Sequence, residues 1–504
     1  MWSTPTKRRF VDLLAVTTVA IYALIVTGSV VATTGAASGC STWPVCDDIF
    51  VYPTSVESVL VLGHRLLAVV VGSLLLGTVV FAWTTDVSRR VRLLVTGGGA
   101  LFPVQAGIGA AVVLTDSWFA SRLHLVVAAG IFAALLLALG WALEEPRSTG
   151  AGTDTLPVGV GSVATKRSAR PVDASEPERP ASEPEPAVTS AQPSDEPNPP
   201  DLSPPDHPNR WTRIARIAGA YVELTKPRLL WLLCLLALAG MALATTTGTW
   251  PDGSTVVATL AGGVLAVGAS GTFNHVFERD RDRKMARTAD RPVATNRVSK
   301  TRALLFGFAL VVSSQLLMLA FVNGLAAVLT LIAVVYYSVL YTVVLKPNTS
   351  WNVAIGGVAG ALPAVIGWAA VTGGIGLPAL ALAVVVVFWT PAHFYNLAIA
   401  YRDDYARAGY PMYPVVAGVS AARRRIVTAL GVTLLATALL GYVAPLGVVF
   451  AASTTVVGAI FLASVVSQCR VRTRSATLRS FYASNAYLGV LLVAIVAETV
   501  LAAL

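Results

Sequence analysis

The sequence predicts an all-α integral membrane protein of about thirteen spans, a four-helix bundle followed by a nine-helix bundle. Three observations carry that expectation. Of 504 residues, 55% are hydrophobic and only 13% charged, a balance too apolar for an ordinary soluble protein. Apolar runs of roughly 18 to 25 residues recur along the chain, each long enough to cross a hydrocarbon core as a helix. The basic clusters behind the net charge of +10 all fall on one side once those runs are threaded through a bilayer.

Four runs come first, at about 11–33, 59–83, 93–115 and 123–144. The first is too long for a signal-peptide core and lacks a small-residue cleavage site, so it reads as a span. Nine follow, at about 228–246, 254–275, 303–321, 323–344, 353–371, 377–400, 424–443, 446–466 and 481–502. Basic clusters stand at Lys7-Arg8-Arg9, Arg89-Arg90-Arg92, 279–302, Arg423-Arg424-Arg425 and Arg470 to Arg479. The positive-inside rule makes their side cytoplasmic in a cell membrane and puts the C-terminus outside. Because the charge tracks topology, nucleic-acid binding is excluded as its explanation. Residues 146–215 include "ASEPERPASEPEPAVTSAQPSDEPNPPDLSPPDHPNR", where proline, serine and acids leave no apolar face. This segment reads as a disordered cytoplasmic linker, and His207 within it has no chemical company.

The chemistry concentrates at the end of the sixth run, in "FNHVFERDRDRKMARTADRP". Asn274, Glu278 and Asp282 are spaced i, i+4, i+8, so on a helix they share one face. Oxygen donors at that spacing suit Mg²⁺, which proteins hold with one or two carboxylates plus substrate phosphates. Nearby arginines, Arg287 and Arg291 foremost, can grip the remaining phosphate oxygens. The bland alternative is a solvated basic loop that happens to contain acids. A second polar stretch, "WTPAHFYNLAIAYRDDYARAGYPMYP", carries His393, Arg402, Asp403 and Asp404 on the same side. "LKPNTSWN" adds Lys346 and Asn352 there, and "VELTKPRLLWLLCLLALAGM" adds Lys226 and Arg228. Each alone reads as an interfacial anchor; jointly they suggest two acidic helix ends converging on a metal-bound diphosphate.

These blocks, in this order over about 220–504, resemble the UbiA family of intramembrane prenyltransferases, and within it the haem O synthase branch. The acidic motif at 274–282 marks the superfamily; the "GVAGALPAVIGWAAVTG" block with "HF…YRDDY…PM" marks the haem branch. The resemblance implies a nine-helix bundle that holds a Mg²⁺-bound prenyl diphosphate between the two acidic motifs. It also implies haem b as acceptor, with His393 and His275 as candidates for contacting it, and the alternative of packing histidines open for both. Two positions depart from the superfamily pattern: Glu278 stands where aspartate is frequent, and Ala408 where many members have a further acid. Asp403 and Asp404 both remain candidate metal ligands. The implied chemistry is electrophilic prenyl transfer to a haem vinyl group. A quinone-precursor or lipid prenyltransferase, and a non-catalytic haem-binding or transport protein, are the competing functions; two opposed acidic motifs with adjacent arginines have no use in the latter.

The first block carries a separate pattern: "TGSVVATTGAASGCSTWPVCDDIF", "VLGHRLLAVVVG", "FPVQAGIGAAVVL" and "SRLHLVVAAG". His64 and His124 fall near the outer ends of their spans, at depths where two imidazoles can bind one haem iron or simply sit at headgroup level. Cys40 and Cys46 lie in an outside loop, where a disulfide is expected over two free thiols. Over about 10–144 the block resembles one half of a haem A synthase, a family built of two such halves. That family carries a carboxylate one turn before the first histidine; here Val61 occupies the position, with Glu57 a turn further back. The resemblance therefore implies haem holding or delivery, with dimerisation completing a site, and a haem A synthase or terminal-oxidase assembly as partner.

Overall fold

The computed structural model describes residues 5–36, 42–44, 55–115, 117–144 and 210–502. The expected linker up to residue 209 and the Cys40–Cys46 pair lie outside the described residues. Among the described residues, thirteen helices are long and apolar enough to cross a membrane. The first four are α1 (Pro5–Thr33), α2 (Val56–Thr84), α3 (Arg89–Thr115) and α4 (Trp118–Leu143). An amphipathic helix, α5 (Arg210–Leu224), precedes the second set, starting inside the stretch expected to be linker. It forms there because "RWTRIARIAGAYVEL" restores an apolar periodicity after the last proline of the linker.

The second set is α6 (Pro227–Ala244), α7 (Gly253–Phe277), the short α8 (Arg279–Asp282), α9 (Lys300–Phe321) and α10 (Gly324–Val335). Helix α10 runs on as a π-helix (Tyr336–Leu345) and closes in α11 (Lys346–Asn348). Then come α12 (Asn352–Thr372), α13 (Leu377–Ala400), α14 (Arg402–Arg407), α15 (Tyr413–Val416), α16 (Val419–Val443), α17 (Val448–Val471) and α18 (Arg474–Leu501). Helices α16 and α18 start earlier than the apolar runs, because Arg423–Arg425 and Arg474–Arg479 are good helix formers that extend a span beyond the hydrocarbon. Side-chain caps decide the starts: Asp252 accepts from the Thr255 N–H at 2.6 Å and Asn323 from the Ala326 N–H at 2.8 Å.

Small residues let these helices approach closely, as association within lipid requires. A Cβ on Gly240 of α6 would overlap the Ala364 carbonyl of α12, and one on Gly367 would overlap the Ala237 carbonyl in return. Helix α7 lies on α9, where the Ser314 hydroxyl donates to the Gly262 carbonyl at 2.7 Å. Helix α13 packs on α16 and α18, and the Trp389 indole donates to the Ser484 carbonyl at 2.9 Å.

The first four helices, expected as a bundle of their own, share a core with the second set. Met1–Glu145 and Ile214–Leu504 form one compact unit; Pro146–Arg213 is the other, described only in the first turn of α5. Helices α1 and α4 pack on α16 and α17. Leu136 occupies the space left by Gly431, and Gly140 lies against Val427. At one end of this contact Glu144, its side chain only 2% exposed, pairs with Arg472 at 3.4 Å and Arg423 at 3.9 Å. Asp12 pairs with Arg470 at 2.5 Å.

Candidate active site

Helix α7 ends at Phe277, yet the hydrogen-bond ladder continues: the Glu278 N–H donates to the Asn274 carbonyl and the Asp282 N–H to the Glu278 carbonyl, at 2.9 and 2.8 Å. One face therefore runs unbroken from Asn274 through Glu278 to Asp282, and all three are buried. Each oxygen donor on it meets a cation. Lys226 donates to Asn274 Oδ1. Lys346 Nζ lies 2.5 Å from Glu278 Oε1. Arg291 Nη1 lies 2.8 Å from both oxygens of Asp282 and 3.8 Å from Glu278 Oε2.

Burial favours the neutral form of Glu278, but Lys346, Lys226 and Arg291 outweigh it and hold the carboxyl below the ordinary glutamate range. Asp282 goes the other way: burial, reinforced by Glu278, exceeds the pull of Arg291 and leaves it above the ordinary aspartate value. Burial, with repulsion from Arg291, brings Lys226 down to about 7 against the opposing pull of Glu278. Lys226 itself sits in the left-handed region at φ 54°, an N-cap that turns its side chain toward α7 immediately before Pro227.

The second acidic segment reaches the same cluster through its tyrosines. The Arg287 guanidinium donates to Tyr405 Oη at 3.3 Å and lies 5.1 Å from the Tyr401 ring centre. Lys346 Nζ lies 4.7 Å from the Tyr410 ring centre and Arg281 5.0 Å. Asp404 is buried and paired with Arg407, whereas Asp403 and Arg402 are exposed. Of the two aspartates the sequence leaves open, only Asp404 faces inward. Arg228 is exposed in the first turn of α6. Asn352 is buried and spends its amide on the Thr349 carbonyl at 2.5 Å, fixing the turn before α12.

Sequence reasoning missed the π-helix. Lys346 falls between the apolar runs at 323–344 and 353–371; it stands on a helix whose last turns are over-wide. The Thr342 hydroxyl donates to the Tyr337 carbonyl five residues back at 2.8 Å and accepts from the Asn274 amide at 3.2 Å. In an α-helix Thr342 would point about 140° and Lys346 about 180° away from Tyr337. The π-turn brings all three to one face, so Tyr337 meets Lys226 at 3.4 Å while Lys346 reaches Glu278. The only sequence signal is the cluster of Tyr336, Tyr337 and Tyr341 in a largely apolar span.

His393 is held between the rings of Trp389 and Phe481, with centroids 4.3 and 4.4 Å away, and its Nδ1 shares a hydrogen bond of 2.7 Å with the Ser484 hydroxyl. His275 is buried with Nδ1 unpartnered. In the first four helices each imidazole packs on a glycine of the preceding helix. A Cβ on Gly28 would lie 3.0 Å from His64 Cε1, and one on Gly109 would lie 3.0 Å from His124 Cε1. His64 Nδ1 lies 3.4 Å from the Thr27 hydroxyl, and the Gln105 amide donates to the His124 carbonyl at 2.8 Å. His124 Nδ1 is buried without a partner.

Residues 233–489 match the UbiA prenyltransferase family. "Protoheme IX farnesyltransferase 2" of Natronomonas pharaonis is 49% identical over 98% of this chain and 99% of its own. "Protoheme IX farnesyltransferase" of Halobacterium salinarum is 46% identical over 98% of each. Among solved structures, a UbiA homologue from Aeropyrum pernix K1 is 18% identical with a TM-score of 0.47, covering 55% of this chain and 98% of its own. The chain belongs to the UbiA prenyltransferase family, in the branch of the protoheme IX farnesyltransferases.

Proposed function

We propose that the protein transfers a farnesyl group from its diphosphate to a vinyl group of protoheme IX, giving haem O and diphosphate. The observation that carries this reading is the convergence, at one end of the bundle, of two acidic segments laced with Lys226, Lys346, Arg291 and Arg287. The full-length relatives named for that reaction support the acceptor.

The donor set fits a hard cation: Asn274, Glu278 and Asp282 present buried oxygens on one face, and Asp404 is the inward acid of the second segment. Mg²⁺ held there supplies charge neutralisation for the leaving diphosphate. Lys346 and Arg291, which rest on those acids, and Lys226, which rests on Asn274, are placed to turn toward phosphate oxygens once those oxygens are otherwise engaged. Tyr337 and Tyr341 offer aromatic faces beside the leaving group, where an allylic cation gains from the ring quadrupole. The C1–O bond breaks with its electron pair going to diphosphate, and the terminal vinyl carbon forms the new C–C bond to C1. Water then adds to the cationic carbon next to the porphyrin and loses a proton, which leaves a hydroxyalkyl side chain. The enclosing bundle keeps bulk water from the allylic cation before the C–C bond forms.

The chain divides in this reading into a haem A synthase-like block at 1–145, a linker at 146–215 and the transferase at 216–504. The acidic end and the linker are cytoplasmic, following the basic clusters. Two histidines of the first block, each backed by a glycine, with His124 Nδ1 free, support a haem held between His64 and His124. The product passes to a haem A synthase or to terminal-oxidase assembly.

One preparation tests these readings. Purified protein incubated with haem b, farnesyl diphosphate and Mg²⁺ is expected to yield a haem heavier by a farnesyl group plus a hydroxyl group, and Asp282→Ala to lose that product. Full turnover by Asp282→Ala would refute the metal site; no product from the wild type would refute the reaction. The same preparation is expected to carry a haem absorbance spectrum that His64→Ala combined with His124→Ala abolishes; unchanged spectra would exclude ligation.

A further inference from the structure

Two guanidinium groups gather on one tyrosine at the edge of the site. Arg287 lies 5.1 Å and Arg474 4.8 Å from the centre of the Tyr401 ring. Both arginines are exposed, and among the described residues neither is paired with a carboxylate. Like charges brought to one ring repel, so the arrangement is complete only when an anion sits between or beside them.

The surroundings say which anion. The cations on Glu278 and Asp282 are Lys346 and Arg291, and Lys226 is on Asn274; Arg474 has no partner in that cluster. It begins α18, and seven residues on, about 10 Å along the helix, Phe481 stacks on His393. Tyr401 closes α13, the helix that carries His393 and Trp389. The α13–α18 pair thus offers a cationic end at Tyr401 and, two turns deeper, a flat aromatic wall. A planar macrocycle bearing carboxylates on one edge has that same division of charge and apolar face; a prenyl diphosphate does not, since its flexible tail needs no flat wall.

We propose that Arg474, with Arg287 across Tyr401, binds the propionate carboxylates of the porphyrin acceptor, and that the acceptor's ring runs inward along α13 and α18 toward His393. This rests on the reaction proposed above and assigns the acceptor's orientation: carboxylates at the acidic end of the bundle, the opposite edge inward.

The test compares haem b with its propionate dimethyl ester as acceptors, for the wild type, Arg474→Gln and Arg474→Lys. For Arg474→Gln, KM for haem b is expected to rise about tenfold to a hundredfold, as for loss of a charged hydrogen bond, with kcat and KM for farnesyl diphosphate unchanged. Wild type is expected to discriminate against the diester, and Arg474→Gln to lose most of that discrimination. Arg474→Lys, which keeps the charge without the bidentate fork, should fall between. A rise in KM for farnesyl diphosphate instead would move Arg474 to the diphosphate and overturn the proposal. So would equal discrimination against the diester by wild type and Arg474→Gln while haem b is still converted. Failure of the wild type to convert haem b at all would remove the underlying reaction, a separate outcome.

Discussion

Asp403 and Asp404 are adjacent in sequence and differ by almost nothing as residues, yet their surroundings separate them. Asp404 points inward beside Tyr405, and Asp403 faces outward. Asp404→Asn is therefore expected to lower turnover by about a hundredfold or more, as for other lost electrostatic contacts to a leaving group. Asp403→Asn should cost less than about fivefold, the range of an exposed charge. Steady-state rates of the two variants check this, and equal losses would contradict the assignment. The same logic applies to Glu278, an acid one methylene longer than Asp282 on the same face. Its extra methylene reaches a lysine, Lys346, that only the π-helix presents.

Helices in this protein are placed by what they lack as much as by what they carry. Gly240 and Gly367 are ordinary residues in apolar runs, and nothing in the runs themselves marks them. In the folded chain they are the points where α6 and α12 touch backbone to backbone. That contact fixes α6, and with it Lys226 at its N-terminus, against the rest of the bundle. Gly367→Val forces α6 and α12 apart, a strain of about 1–3 kcal/mol or more. The expected result is a lower yield of folded protein in detergent and an earlier thermal transition. An unchanged transition would mean the helices can slide without loss. The π-helix is the second device at this scale: by widening the turn it swings Lys346 by roughly half a revolution relative to an α-helix, from lipid to Glu278.

At the scale of the whole chain, the first four helices are bonded into the transferase through a core and a buried ion cluster. Burial raises the Glu144 carboxyl above its ordinary value although Arg472 and Arg423 pull it down. Removing that charge leaves two arginines facing each other, Arg423 almost fully buried. Glu144→Ala is expected to destabilise the protein by about 3 kcal/mol, the usual cost of breaking a buried pair from one side. Limited proteolysis should then release the first four helices from the variant more readily than from the wild type; identical digestion would show that the apolar contact alone suffices.

The spans, their order and the acidic face at Asn274, Glu278 and Asp282 were legible in the sequence. Runs of apolar residues and a four-residue spacing are local properties, and the bilayer leaves a long apolar run no alternative to a helix. The helix at Arg210–Leu224 lay at the edge of what composition could separate from linker. Three features waited for the tertiary structure: the burial of Asp404 beside an exposed Asp403, the pairing of Glu278 and Asp282 with Lys346 and Arg291, and the gathering of Arg287 and Arg474 on Tyr401. All three depend on contacts between residues far apart in the chain, such as Arg287 with Tyr405, 118 positions away. Helical periodicity fixes which residues share a face; only the packing of one helix on another decides what that face meets.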